Sequence, residues 1–129
     1  GVHIHPSVVR TTFDMFKDRV VLISDSMRAT GMPDGQYTLG GQAVTVKGNM
    51  ATLTEGGALA GSVTNLMDCM RNAVKNMGVS LEDAVAAATI NPAKSVGLDN
   101  KYGSIKQGKV GNLVLLDQNL EIQKVILNG

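Results

Sequence analysis

The chain has 129 residues, 43% of them hydrophobic and 18% charged, which suits one folded domain with a sizeable core. Its 12 basic and 11 acidic side chains leave a net charge of +1, which disfavours nucleic acid or an anionic membrane surface as the main partner. No apolar stretch approaches the roughly 18 residues that cross a bilayer, and GVHIHP lacks the pattern of a signal peptide. A single cysteine, Cys69, fits a reducing cytoplasm and lies in an apolar helical pattern as a buried, inert thiol. Aromatic content of 3%, with no Trp, disfavours a ring-built stacking platform.

In chain order, Val2 and Ile4 alternate with His3 and His5 as a strand would, and Pro6 ends it. Ser7 is placed to cap a helix in which Val8, Val9, Thr12, Phe13 and Phe16 share a face. Val20-Val21-Leu22-Ile23 is apolar without alternation, the pattern of a strand buried on both faces. Strand, helix and strand in this span predict a βαβ unit and a parallel sheet. Residues 36–60 form a β excursion, with runs at 37–39 and 43–46 split by Gly40-Gly41 and a hairpin turn at Gly48-Asn49. From Ser62 a helical stripe runs through Val63, Leu66, Met67, Met70, Ala73, Val74 and Met77 to a stop at Gly78. Its spacing predicts core packing rather than a partner surface. Ser80 and Asp83 form a capping box, and Asn91-Pro92 opens a short helix closed by Gly97. Strands return at Leu113–Leu116, buried in character, and around Ile122–Leu127.

Asp25 stands out because it follows a buried strand, where parallel α/β proteins place their chemistry. A carboxylate there can act as general base, metal ligand or both; it can also cap the next turn or pair with Arg28. His3 and His5 fall on one side of a strand, a geometry for joint zinc binding, with structural hydrogen bonding as the alternative. With no third His and no Cys pair, a complete metal site would need Asp25 and another carboxylate. Gly56-Gly57 and Gly61 allow either close backbone approach to a ligand or plain loop flexibility. The P-loop, dinucleotide and G-x-S-x-G patterns are absent.

SDSMRATGMPDGQYTLGGQ, GGALAGS, NPAKSVGL and GSIKQGKVGNLVLLD, in this order, resemble the N-acetylglucosamine-6-phosphate deacetylase family of the amidohydrolase superfamily. The resemblance runs the full length of the chain. It implies an α/β fold that is the C-terminal fragment of a (β/α)8 barrel, since such barrels take about 250 residues. Residues 1–98 become the last βα units, with residues 1–5 the seventh strand, Val20–Ser24 the eighth, and a β-hairpin insertion at about 36–60. Residues 99–129 become strands of a small β-sandwich domain.

The resemblance also implies the chemistry. A divalent metal, zinc or iron, activates water against the acetamide of an amino-sugar phosphate, and its Glu and two His ligands lie outside this chain. Asp25, beside the metal, takes the water's proton and returns it to the departing amine. His3 contacts substrate, and Leu59, Ala60 and Gly61 approach the sugar. His5 keeps a supporting role, with a weak claim as a metal ligand. Asn112 stands where the superfamily commonly has Asp. A cytoplasmic homodimer is expected for the full-length enzyme, with this chain alone inactive. Two other readings are an amidohydrolase acting on a different amide and a non-catalytic interaction domain.

Overall fold

The computed structural model describes residues 1–129, and its elements are mostly local ones that the chain closes on itself. Helix α1 (Pro6–Phe16) leads into a 3-10 turn at Lys17–Arg19. Three short strands, β1 (Gly35–Leu39), β2 (Gln42–Lys47) and β3 (Met50–Leu53), form an antiparallel sheet in that order. Its tight turns fall at Gly40-Gly41 and Gly48-Asn49, where all but Asn49 take the positive φ that hairpin turns favour in glycine. Helices α2 (Leu66–Met77), α3 (Leu81–Ala88) and α4 (Ile90–Ser95) follow, and β4 (Leu113–Leu116) pairs antiparallel with β5 (Ile122–Ile126).

Two small cores hold these pieces. One joins Phe13 of α1 to Met70, Ala73 and Met77 of α2 and to Ala84 and Ala87 of α3, with Val79 beneath. The completely buried alanines let α3 approach closely. The other gathers Met27, Ala29 and Ala60 onto the inner face of the three-stranded sheet, against Val44, Val46 and Ala51. Helix ends obey local rules. The Asn65 side chain caps α2, Gly78 ends it in the left-handed conformation, and Ser80 with Asp83 forms the expected capping box on α3.

Several expectations are corrected. Residues 1–5 form no strand and lie exposed, and Val20–Ser24 is extended but joins no ladder. Ile23, expected to be buried, is 73% exposed. The cause is shared: a parallel strand needs neighbouring strands on its edges and cover on both faces, and here helices pack on one side and no strand lies alongside. The predicted parallel βαβ sheet is therefore absent, and parallel pairing is confined to one bridge, Ser26 with Ser62. His5, not Ser7, caps α1, because Pro6 already suits the first helical position. Helix α2 starts at Leu66 rather than Ser62, since residues 59–64 are held by the sheet and the Asp25 segment. Asn91 lies inside α4, buried, and donates to the Val20 carbonyl instead of capping. Val114 and Leu115 are exposed because β4 has only one strand beside it and no covering layer.

Candidate active site

The site begins with how the Asp25 segment is aimed. The Leu22 amide donates to the Ala87 carbonyl at 2.9 Å, and Asn91 Nδ2 donates to the Val20 carbonyl at 2.9 Å. Helices α3 and α4 thus fix the direction of the extended run. At its end Asp25 takes φ +49°, a left-handed turn that Asp tolerates better than most residues. The turn sends the chain onto the loop after β3. Ser26 bridges Ser62 in parallel, the Met27 amide donates to the Ser62 carbonyl at 2.8 Å, and Ser26 Oγ donates to the Thr64 carbonyl at 2.7 Å.

Asp25 and Gly61 each directly precede a partner in that bridge, so the two segments meet at this point. The loop itself is anchored to β3. The Ala60 amide donates to the Ala51 carbonyl at 2.9 Å, and Leu59 pairs with Thr52. Leu59 projects outward, Ala60 is buried, and Gly61 holds φ +77°. A side chain on Gly61 would meet Leu39 Cδ2 at 3.2 Å and Met27 Sδ at 3.5 Å, so glycine fits this point for two reasons.

Asp25 is exposed and has no cation partner. Both ion pairs in the chain belong to Arg71, and the Arg28 guanidinium rests on Thr38 Oγ1. Pairing with Arg28, one of the readings open from the sequence, does not occur.

The histidines are placed differently. His3 sits exposed in a bend near the start of the chain. His5 Nδ1 accepts from the Ser7 amide at 3.2 Å and lies 2.8 Å from Ser7 Oγ, so it works as a helix cap. An accepting Nδ1 puts the ring proton on Nε2. No group of three His, Cys, Asp or Glu gathers anywhere in the chain in a way that could hold a metal ion. The residues present therefore do not fit a divalent metal by themselves. Cys69 is partly buried, and its thiol is pushed up by desolvation first and by the adjacent Asp68 second. Sequence reasoning missed Leu39, whose place over Gly61 depends on how the insertion folds back. It also missed the Ser26–Ser62 bridge, for which two separated serines give no signal.

The profile of the Amidohydrolase family matches residues 1–129. The chain belongs to the amidohydrolase family. Members of this family generally use a divalent metal. An N-acetylgalactosamine-6-phosphate deacetylase of Escherichia coli O157:H7 is 40% identical over the whole chain, and an N-acetylglucosamine-6-phosphate deacetylase of Vibrio furnissii is 37% identical. The crystal structure of N-acetylglucosamine-6-phosphate deacetylase from Pasteurella multocida superimposes with a TM-score of 0.93 at 26% identity, covering all of this chain. That likeness fixes the α/β fold of this amidohydrolase segment as a part of the deacetylase fold. The chain spans 34%, 32% and 34% of those proteins, and 77% of a shorter Escherichia coli K12 protein at 40% identity. No helix is long and apolar enough to cross a membrane.

Proposed function

We propose that this chain supplies the proton-handling carboxylate and one substrate wall of a deacetylase acting on N-acetylglucosamine 6-phosphate, releasing acetate and the free amine. The observation that carries the reading is the Ser26–Ser62 bridge. It sets an exposed, unpaired carboxylate beside the Leu59–Gly61 loop, in a chain whose relatives are named for deacetylating amino-sugar phosphates. Hydrolysis of the acetamide breaks its C–N bond, with water adding to the carbonyl carbon. Asp25 takes the proton from that water and delivers it to the departing nitrogen, so one group serves both halves of the reaction. His3 donates a hydrogen bond to the carbonyl oxygen as negative charge develops there. His5 holds the start of α1 and has the weaker claim to metal.

The metal of the complete enzyme, zinc or iron, belongs to residues outside this chain. By the same reading, residues 1–98 are the last units of a (β/α)8 barrel with the insertion at about 36–60. Residues 99–129 are strands of a small β domain. The full-length enzyme is a cytoplasmic homodimer. The galactosamine-named relative at 40% identity makes the 4-epimer the substrate to assay beside it.

The test is a chimera in which this chain replaces the matching residues of the full-length O157:H7 relative. It should release acetate from an N-acetylhexosamine 6-phosphate, and Asp25→Asn should lower kcat by about 100- to 10,000-fold. The 129-residue chain alone should release none. An active chimera indifferent to Asp25→Asn would remove the residue from the chemistry.

A further inference from the structure

We propose that Ser26 is a positioning residue for the reaction: its hydroxyl bond to the Thr64 carbonyl holds the turn at Asp25, and with it the place of the carboxylate. This rests on the deacetylase reading, and it adds a residue that acts through Asp25 alone. Asp25 takes φ +49°, a left-handed backbone that a residue other than glycine keeps where its surroundings impose it. Ser26 shares the next peptide bond, so whatever fixes Ser26 fixes the downstream side of that turn.

Anchors stand on either side of Asp25. Upstream, the Leu22 amide donates to the Ala87 carbonyl and Asn91 Nδ2 to the Val20 carbonyl, so α3 and α4 hold the extended run. Downstream, Ser26 Oγ donates to the Thr64 carbonyl at 2.7 Å, and the Met27 amide donates to the Ser62 carbonyl at 2.8 Å. The Thr64 acceptor is itself held. Its amide donates to Ser62 Oγ at 3.1 Å, and the next residue, Asn65, caps α2, whose Met70, Ala73 and Met77 are buried in a core. The Ser26 hydroxyl thus ties the Asp25 turn to the start of a core helix, across 38 residues of sequence. Ser26 is exposed, so this bond contributes direction more than burial. Asp25 has to meet the attacking water first and the departing nitrogen second, and a misplacement of about 1 Å can cost about 100-fold in rate.

The test separates kcat from KM and from folding. In the chimera, Ser26→Ala should lower kcat on an N-acetylhexosamine 6-phosphate about tenfold while KM stays within about twofold. Ser26→Thr, which keeps the hydroxyl, should restore kcat. Ser26→Cys, with a weak S–H donor of similar size, should fall between the two. In the circular-dichroism melt of each variant Tm should hold while kcat changes, and the Thr and Cys variants carry the test if Ser26→Ala melts early. A merely structural hydroxyl would lower Tm and leave kcat of the folded protein unchanged, and that outcome overturns the proposal. So does a loss in Ser26→Thr equal to that in Ser26→Ala, or a raised KM at constant kcat, which is the mark of a substrate contact. An unsubstituted chimera that releases no acetate would instead overturn the deacetylase reading and this inference with it.

Discussion

Cys69 shows how local surroundings decide what a reactive atom can do. Its thiol is partly buried on α2, its pKa is raised above the ordinary 9.0 by desolvation and then by Asp68, and its Sγ lies 3.9 Å from the Ile23 carbonyl. The thiolate is the reacting form, so a raised value keeps the group inert at neutral pH. Alkylation by iodoacetamide at pH 8 should be several-fold slower in the folded chain than in urea, and equal rates would contradict this environment. The same shift has a stability sign. The folded state holds the proton more tightly than the unfolded one, so its contribution is full below the unfolded value. It falls away as pH rises through about 9 toward the raised folded value. His5 and Asn91 are further cases where a neighbour sets the role. The capped amide of Ser7 and the Val20 carbonyl are contacts that neither residue type discloses.

Among elements, the junction of α4 with the loop toward β4 is the most tightly constrained. A Cβ on Gly103 would lie 2.8 Å from Ile90 Cα and 2.9 Å from both Ala93 Cβ and the Thr89 carbonyl, at φ +85°. Gly103→Ala therefore meets backbone crowding and a left-handed conformation together, for a loss of about 2–4 kcal/mol. Gly57→Ala, at φ +67° with nothing within 4 Å, meets only the second and should cost about 1–2 kcal/mol. Urea titrations of both variants check the difference, and equal losses would show that the clash relaxes. Lys109 fastens the same loop. Its ammonium donates to the Asp99 and Tyr102 carbonyls and to Ser104 Oγ.

Elements of this kind were legible in the sequence where their cause is local. The turns at Gly40-Gly41 and Gly48-Asn49, the Ser80–Asp83 box and the Gly78 stop all lie where the residue pattern put them. Val2–Ile4 and Val20–Ile23 were not, because apolar patterning gives a strand's burial in a complete sheet, and no strand lies beside them here. Of the candidate site, Asp25 could be located from its place after an apolar run. Its approach to the Gly61–Ser62 loop, and Leu39 above Gly61, depend on pairings between distant segments.

At the scale of the whole molecule, surface area says what the fold lacks. A folded monomer of 13.5 kDa exposes about 6,500 Å², whereas this chain exposes 8612 Å². The excess, about 2,000 Å², is more than each partner buries in a standard stable interface. Much of it is hydrocarbon. Ile23, Val114, Val125 and Leu127 face outward, and an apolar groove of about 680 Å³ lies between α2, α3 and the β4–β5 pair. Two strands without further neighbours are marginal in water, and Lys124 on β5 is the only charge in either strand to discourage edge pairing. Such a surface is stable when the rest of a longer amidohydrolase covers it, and it is adhesive when nothing does. The isolated chain should therefore run above 13.5 kDa in light scattering, bind ANS and unfold with weak cooperativity. In the chimera, amides of β4 and β5 should exchange hydrogen far more slowly than in the isolated chain. A monodisperse monomer that ignores ANS and melts sharply would mean the two small cores suffice, and that the exposed faces belong to an autonomous interaction domain.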